Sequence, residues 1–212
     1  MRVLPVCVVL GLILVFYARS ARADRRELYT VLGYDPGVSH YKLSNGDTGS
    51  ATTYSGTLTA SVYYGLTNTW HVGGRLRLSS VPNIHIANAV VTMPDGSLSA
   101  GDIYEDHRSL GLGALVLYRV DTKAPLAPLL ELEAGFMAHE FQRIDFIPSG
   151  AAHTYPQPNE SNTTLYGSAA LLLEYRFANR WVAAVGVAVQ GEHDGNVPWS
   201  VSVPIRVGTI WW

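Results

Sequence analysis

Residues 51 to 67, ATTYSGTLTASVYYGLT, constrain the fold more than any other stretch of the chain. Tyr54, Leu58, Ala60, Val62, Tyr64 and Leu66 alternate with Thr53, Ser55, Thr57, Thr59 and Ser61. A period of two places these sets on opposite faces of a β-strand. The polar face is small and hydroxylated, whereas a face meeting bulk water would carry Lys and Glu. Such compactness suits the inside of a narrow tube.

The alternation recurs along the chain. In 70 to 80, Trp70, Val72, Leu76 and Leu78 oppose Arg75 and Arg77. In 109 to 120, Leu110, Leu112, Ala114, Val116, Tyr118 and Val120 oppose Ser109, Gly111, Gly113 and Arg119, although Leu115 and Leu117 blur the second face. Residues 129 to 139 set Leu130, Leu132, Ala134, Phe136 and Ala138 against Glu131, Glu133, Gly135, Met137 and His139. The same reading applies to 165 to 177, with Glu174 and Arg176 on the polar face, to 181 to 192, and to 200 to 212, with Arg206. A weaker stretch, 27 to 43, supplies a first strand whose facing the pattern leaves open, with Pro36 and Gly37 able to bend it.

These eight runs are joined by connections that alternate in length: 44–50 long, 67–69 short, 84–101 long, 121–126 short, 147–162 long, 178–180 short and 193–198 longer. Membrane barrels show this asymmetry, with short turns at one end and long loops at the other. Hydrophobic residues make up 48% of the chain and charged ones 15%, against about a quarter charged in soluble proteins. No apolar run after residue 23 approaches the ~18 residues of a spanning helix. The expected fold is therefore all-β, an eight-stranded antiparallel up-and-down transmembrane β-barrel.

Such a barrel carries aromatic girdles where it meets the membrane boundaries. Trp70, Tyr118, Tyr175, Phe177, Trp181 and Trp211 all fall on the apolar face near the short turns. Tyr54, Tyr104 and Phe136 are candidates for the other girdle. The polar faces direct Arg75, Arg77, Arg119, Glu131, Glu133, Glu174, Arg176 and Arg206 into the lumen. Counting from the short turns puts Glu174 level with Arg75, Arg77, Glu131, Glu133 and Arg206, and Arg119 and Arg176 lower. Buried charge is tolerated only when paired, so a structural network that plugs the tube is expected.

The N-terminus has Arg2, an apolar run from Val3 to Tyr17, then Ala21 and Ala23 in the A-x-A arrangement that precedes signal cleavage. Cleavage after Ala23 is expected, giving 1–23 as leader and 24–212 as barrel. Cys7, the one cysteine, lies in that leader, so thiol chemistry and disulfides are excluded from the mature chain. Removing Arg2, Arg19 and Arg22 leaves 12 basic residues against 17 acidic ones, a formal charge of −5. A nucleic-acid partner is not expected from that balance.

Taken with the leader ending Ala21-Arg22-Ala23 and the C-terminal Val207-Gly208-Thr209-Ile210-Trp211-Trp212, the alternating strands resemble the small eight-stranded outer membrane proteins of Gram-negative bacteria, the group of outer membrane proteins A, X and W. The resemblance spans the mature chain. It implies residence in the outer membrane after secretory export, contact with outer membrane lipids and lipopolysaccharide, and insertion by the barrel assembly machinery, which reads a terminal aromatic. Here Trp212 is one residue extra and the glycine spacing departs from the pattern.

Function within such a group varies. The expected role is non-enzymatic, envelope structure or surface interaction with an extracellular ligand through the outer loops. A narrow channel for small or apolar solutes is the next reading and lipid A modification the last. His139 and Glu140 point to opposite faces of a strand and cannot pair on one surface. His85, His107, His139, His153 and His193 fall in or near outer loops. They show no metal-binding spacing and read as scattered, solvated side chains, so neither metal nor cofactor is expected. A lipocalin-like soluble carrier is the competing architecture, and it would place apolar residues inside.

Overall fold

The computed structural model describes residues 27–43, 47–122, 124–150, 154–156, 159–177, 180–193 and 195–211. The expected leader and its expected cleavage site at Ala21 and Ala23, as well as His153 and Trp212, lie outside the described residues. The strands are β1 (Leu28–Lys42), β2 (Ser50–Gly65), β3 (Trp70–Thr92), β4 (Leu98–Arg119), β5 (Leu126–Pro148), β6 (Tyr155–Pro156), β7 (Glu160–Phe177), β8 (Trp181–His193), β9 (Trp199–Ser202) and β10 (Ile205–Trp211). Each wall strand pairs antiparallel with its sequence neighbour, and β6 is a short addition to the end of β5.

The ring closes through β1, which pairs with β10 from Leu28↔Trp211 to Tyr34↔Ile205 and with β9 from Gly37↔Ser202 to His40↔Trp199. β9 and β10 are thus two halves of one eighth wall strand. Pro204 interrupts it because proline has no amide hydrogen for the ladder. The interruption is bridged by Val203 N donating to Pro36 O at 2.8 Å and Gly186 N to Pro204 O at 3.2 Å.

The polarity is inside out. Leu130, Leu132, Leu171 and Leu173 are 40–62% exposed, whereas Arg75 and Glu131 are 1% and 3% exposed. A leucine- and valine-covered exterior around a charged centre is stable only where hydrocarbon surrounds it, and the closed ladder leaves no unpaired edge there. The lipid-facing band runs from Trp70 to Leu78 on β3 and from Tyr118 to Leu110 on β4. Beyond it the outer face turns polar at Ser80, Arg108, Glu140 and Ser161, all exposed.

The strands are longer than the alternation suggests. β3 and β5 each have 23 residues and β4 has 22. At ~3.3 Å per residue and a ~40° tilt, such a strand rises roughly 55–60 Å, about twice the ~25 Å apolar band. The stretch 84–101, expected as a long loop, is therefore mostly a projecting hairpin. Its turn is Pro94–Ser97, in which the Asp95 carboxylate accepts from Ser97 N at 2.9 Å and Ser97 Oγ at 2.6 Å. The period is masked by two bulges, between Val81 and Ile84 and between Ile86 and Ala89. Asn83 and Asn88 sit there at φ 55 and 54, a conformation Asn tolerates better than most residues. Asp106 and Asp102 on β4 accept their amides at 2.9 and 3.1 Å.

The lumen is layered rather than uniformly polar. Tyr29, Val31, Tyr63, Leu115, Leu117, Leu129, Leu172 and Ile210 form a buried cluster toward the short turns. Ile84, Ile86, Ile103, Phe141, Phe146 and Val197 form a second inside the projecting section. Leu115 and Leu117, which blurred the polar face of β4, belong to the first. The facing of β1 is settled as well: Tyr29, Val31, Asp35, Ser39 and Tyr41 point inward, and Leu28, Leu32, Tyr34 and Val38 are exposed.

Candidate functional site

Between the two apolar layers the wall strands deliver their polar residues to one axis. Arg75 on β3 donates from Nε to Ser61 Oγ at 2.7 Å, from Nη2 to Glu131 Oε2 at 2.7 Å and from Nη1 to Glu133 Oε2 at 3.0 Å. Arg77 donates from Nε to Glu133 Oε1 at 3.0 Å and from Nη2 to Ser168 Oγ at 3.2 Å. It also lies 3.6 Å from Asp35 and 5.6 Å from the centre of the Tyr166 ring. Arg206 grips Asp35 through both terminal nitrogens, Nη2 at 3.0 Å. Three arginines thus meet three carboxylates, all at most 6% exposed.

Room for these side chains comes from β4. A Cβ on Gly113 would fall 2.7 Å from Glu133 Oε1 and also against Tyr166 Oη. The inward glycine is needed because two long polar side chains from β5 and β7 converge on that spot.

A second, smaller set lies toward the short turns. Arg119 donates from Nε to Glu174 Oε1 at 2.9 Å, and Arg176 donates from Nε to the same oxygen at 3.0 Å. Arg176 also lies 3.4 Å from Glu27 and bonds Tyr29 Oη. Glu174 therefore belongs below the Arg75 group and not level with it. Counting along each strand from its turn ignores the stagger that closes a barrel. Asp35 and Glu27 were missed by sequence reasoning because the first strand had no assigned facing. The one cue within β1, Gly33, Asp35, Gly37 and Ser39 opposite Leu32, Tyr34 and Val38, is masked by the inward Tyr29, Val31 and Tyr41.

The six aromatic side chains near the short turns, Trp70, Tyr118, Tyr175, Phe177, Trp181 and Trp211, lie on the outer surface. Trp70 packs on Tyr118 at 4.9 Å and Tyr175 on Phe177 at 6.2 Å between ring centres. Toward the other end, Tyr54 and Phe136 are exposed. Tyr104 lies above the band, stacked on His85 at 4.5 Å. Trp199, not anticipated, faces outward and stacks on His40 at 5.4 Å.

Above the Arg75 group is a chamber of about 40 Å³ lined by Ser39, Ser55, Ser79, Ser109, His107, His139 and Glu192, among others. His107 and His139 correct the expectation of solvated histidines: each is 3% exposed. His107 Nε2 is 2.9 Å from His139 Nδ1, and His139 Nε2 is 2.9 Å from Glu192 Oε2. The carboxylate partner of His139 is thus on β8, while Glu140 points outward. Just above, burial and the nearby Glu160 push Glu105 up to about 7. Burial, then His139, holds His107 down at about 3. On the exposed hairpin, the Asn88 amide and His85 keep Asp102 below the usual carboxylate range.

Among the described residues no cluster of His, Cys, Asp or Glu is arranged to hold a metal ion. Below the Arg75 group, the gap bordered by Arg75, Glu131, Leu117 and Leu172 measures about 10 Å³, at the lower limit of room for one water. At the short-turn mouth a wider hollow of about 240 Å³ is bordered by Glu27, Arg119, Asp121 and Arg176.

No family model matches the sequence, and no curated protein matches it. Solved structures do. Neisserial surface protein A superposes with a TM-score of 0.54 at 12% identity, covering 87% of this chain and 95% of that one. Ail, the attachment invasion locus protein of Yersinia pestis, superposes with a TM-score of 0.50 at 12% identity, covering 88% and 99%. With identity this low the likeness concerns architecture alone: the chain has the fold of the small eight-stranded outer membrane β-barrel proteins.

Proposed function

We propose that this protein is an integral outer membrane barrel with a structural or surface-recognition role and no catalytic activity, acting through its projecting section. The short-turn end then faces the periplasm and the long hairpins face the exterior. The apolar band meets membrane lipid, with lipopolysaccharide against its outer rim at Arg108 and Lys42. The barrel assembly machinery would read the last strand, Ile205–Trp211, after export and removal of the leader.

The buried ion pairs across the mid-lumen carry this reading. Arg75, Arg77 and Arg206 meet their carboxylates across the axis, and the layer beneath them is apolar, which supports a closed lumen. A solute path would need both opened, which favours recognition over conduction. The outer section supports it too, since the apolar core of the long hairpins fixes a presented surface that a flexible loop would not. The attachment invasion locus protein bears a name of that kind, and a contact-making role suits a rigid projection.

Reconstitution in planar bilayers is the test, together with thiol labelling of Ser97→Cys on intact cells. The reading requires an unchanged baseline and a labelled turn. Stable unitary current steps would refute the closed lumen, and a turn protected until the cells are lysed would refute its surface position.

A further inference from the structure

The hollow at the short-turn end is bordered by Glu27, Asn68, Arg119, Asp121, Thr122 and Arg176, among others. Two of its charged side chains are held almost out of solvent, with Arg119 7% and Glu27 6% exposed. The protein uses only part of each. Arg119 donates from Nε to Glu174 Oε1 at 2.9 Å, and its two terminal nitrogens have no partner among the described residues. Glu27 Oε2 accepts from Tyr29 Oη at 2.5 Å and lies 3.4 Å from Arg176, and Oε1 has no partner among the described residues. None of these three atoms is sealed in the wall, so all of them meet open space. Asp121 is exposed at the rim, and no described arginine or lysine pairs with it.

Charged donors and charged acceptors thus share one opening. A lone anion brought to Arg119 would face Glu27 and Asp121 at the border and Glu174 behind it, and a lone cation would face Arg119 and Arg176. A ligand that carries both charges meets neither repulsion. Spacing narrows the class further. Arg119 and Asp121 are two residues apart, about 7 Å between Cα atoms in extended chain. An α-amino acid, with ammonium and carboxylate on one carbon, is short enough to accept from the first and donate to the second. Because Glu174 fixes its Nε, Arg119 offers a planar pair of terminal donors that matches the two oxygens of a carboxylate.

We propose that the short-turn hollow is a binding site for a free α-amino acid, its carboxylate held by the terminal nitrogens of Arg119 and its ammonium by Glu27 Oε1 and the Asp121 carboxylate. The volume, about 240 Å³, holds about fifteen water-sized groups, so the ligand's side chain is not selected and recognition rests on the two charges. Tyr29 and Leu117 belong to the apolar layer that lies inward of the hollow, so binding requires no conduction. The site is independent of the surface role proposed above, since it lies at the opposite end of the barrel and needs no outer partner.

The test is an NMR titration of the isotope-labelled barrel in lipid nanodiscs with alanine, acetate, methylammonium or glucose at constant ionic strength, near neutral pH where alanine carries both charges. Alanine is expected to shift the amides of Asn68, Asp121 and Thr122 saturably and to leave those of the projecting section in place. Acetate and methylammonium, with one charge each, should bind at least about tenfold more weakly, and glucose should do nothing. Asp121→Asn, at an exposed position, should weaken alanine about tenfold without weakening acetate. Arg119→Gln should abolish the alanine response, and Asp121→Asn decides alone if that variant fails to fold. Absence of saturable shifts with alanine would overturn the assignment, as would acetate or glucose binding as tightly as alanine, or alanine binding unchanged in Asp121→Asn.

Discussion

Two buried groups in the projecting section should give stability opposing dependences on pH. His107 is neutral when folded, its pKa held at about 3 by burial against 6.5 when exposed. Its contribution is complete above the unfolded value and is lost as pH falls through 6.5 toward 3. Glu105 is the reverse, about 7 when folded against 4.5. Its contribution is complete below 4.5 and is lost as pH rises through 7.

Between about pH 7.5 and about pH 5.5 the unfolded His107 gains nearly one proton that the folded one refuses, costing about 1.4 kcal/mol. Over the same interval folded Glu105 takes up a proton that the unfolded chain does not, adding about 1.8 kcal/mol. The two nearly cancel in the parent protein. Glu105→Gln should therefore lose about 1.8 kcal/mol more than the parent on acidification across that interval, and His107→Phe about 1.4 kcal/mol less. Urea unfolding in lipid vesicles with sodium buffers, followed by tryptophan fluorescence, measures both differences. Parallel pH profiles for parent and variants, or shifts of the opposite sign, would refute the burial argument.

Other expectations follow from the lumen and the hairpin. Glu131→Gln with Glu133→Gln strands Arg75 and Arg77 and should cost about 3–5 kcal/mol; unchanged heat-modified migration would count against a stabilising network. Gly113→Ala places a methyl against Glu133 and Tyr166 and should cost about 1–3 kcal/mol by overpacking, read from the same unfolding curves. At the first bulge, Asn83→Ala should cost about 1 kcal/mol because of the positive φ, while Asn83→Gly should be near neutral. Equal costs for the two would show that the bulge is held by the Asp106 contact and not by backbone preference.

Local chemistry in the sequence determined which face of the wall strands after β1 meets lipid. In 129–139 the apolar set is unbroken, in 54–66 and 165–177 only Gly56 and Gly167 interrupt it, and a period of two leaves each side chain only two directions. The placement of Arg75, Arg77, Glu131 and Glu133 toward one axis follows from that parity. Partner choice does not, since pairing across strands depends on stagger, and stagger is set by closure of the whole ring. Glu174 consequently joined Arg119, while His139 found Glu192 on β8.

The extended hairpins were hidden for a different reason: two bulges in β3 shift the period, and β4 and β5 turn polar outside once they leave the membrane while staying apolar within. Asp35, whose strand alternates weakly around Pro36, could be assigned only after β1 had paired with both β2 and β10. The residue types therefore specified an inside-out barrel with a charged interior. Only the assembled ring decided which charges neutralise one another, because those are distances between strands far apart in the chain.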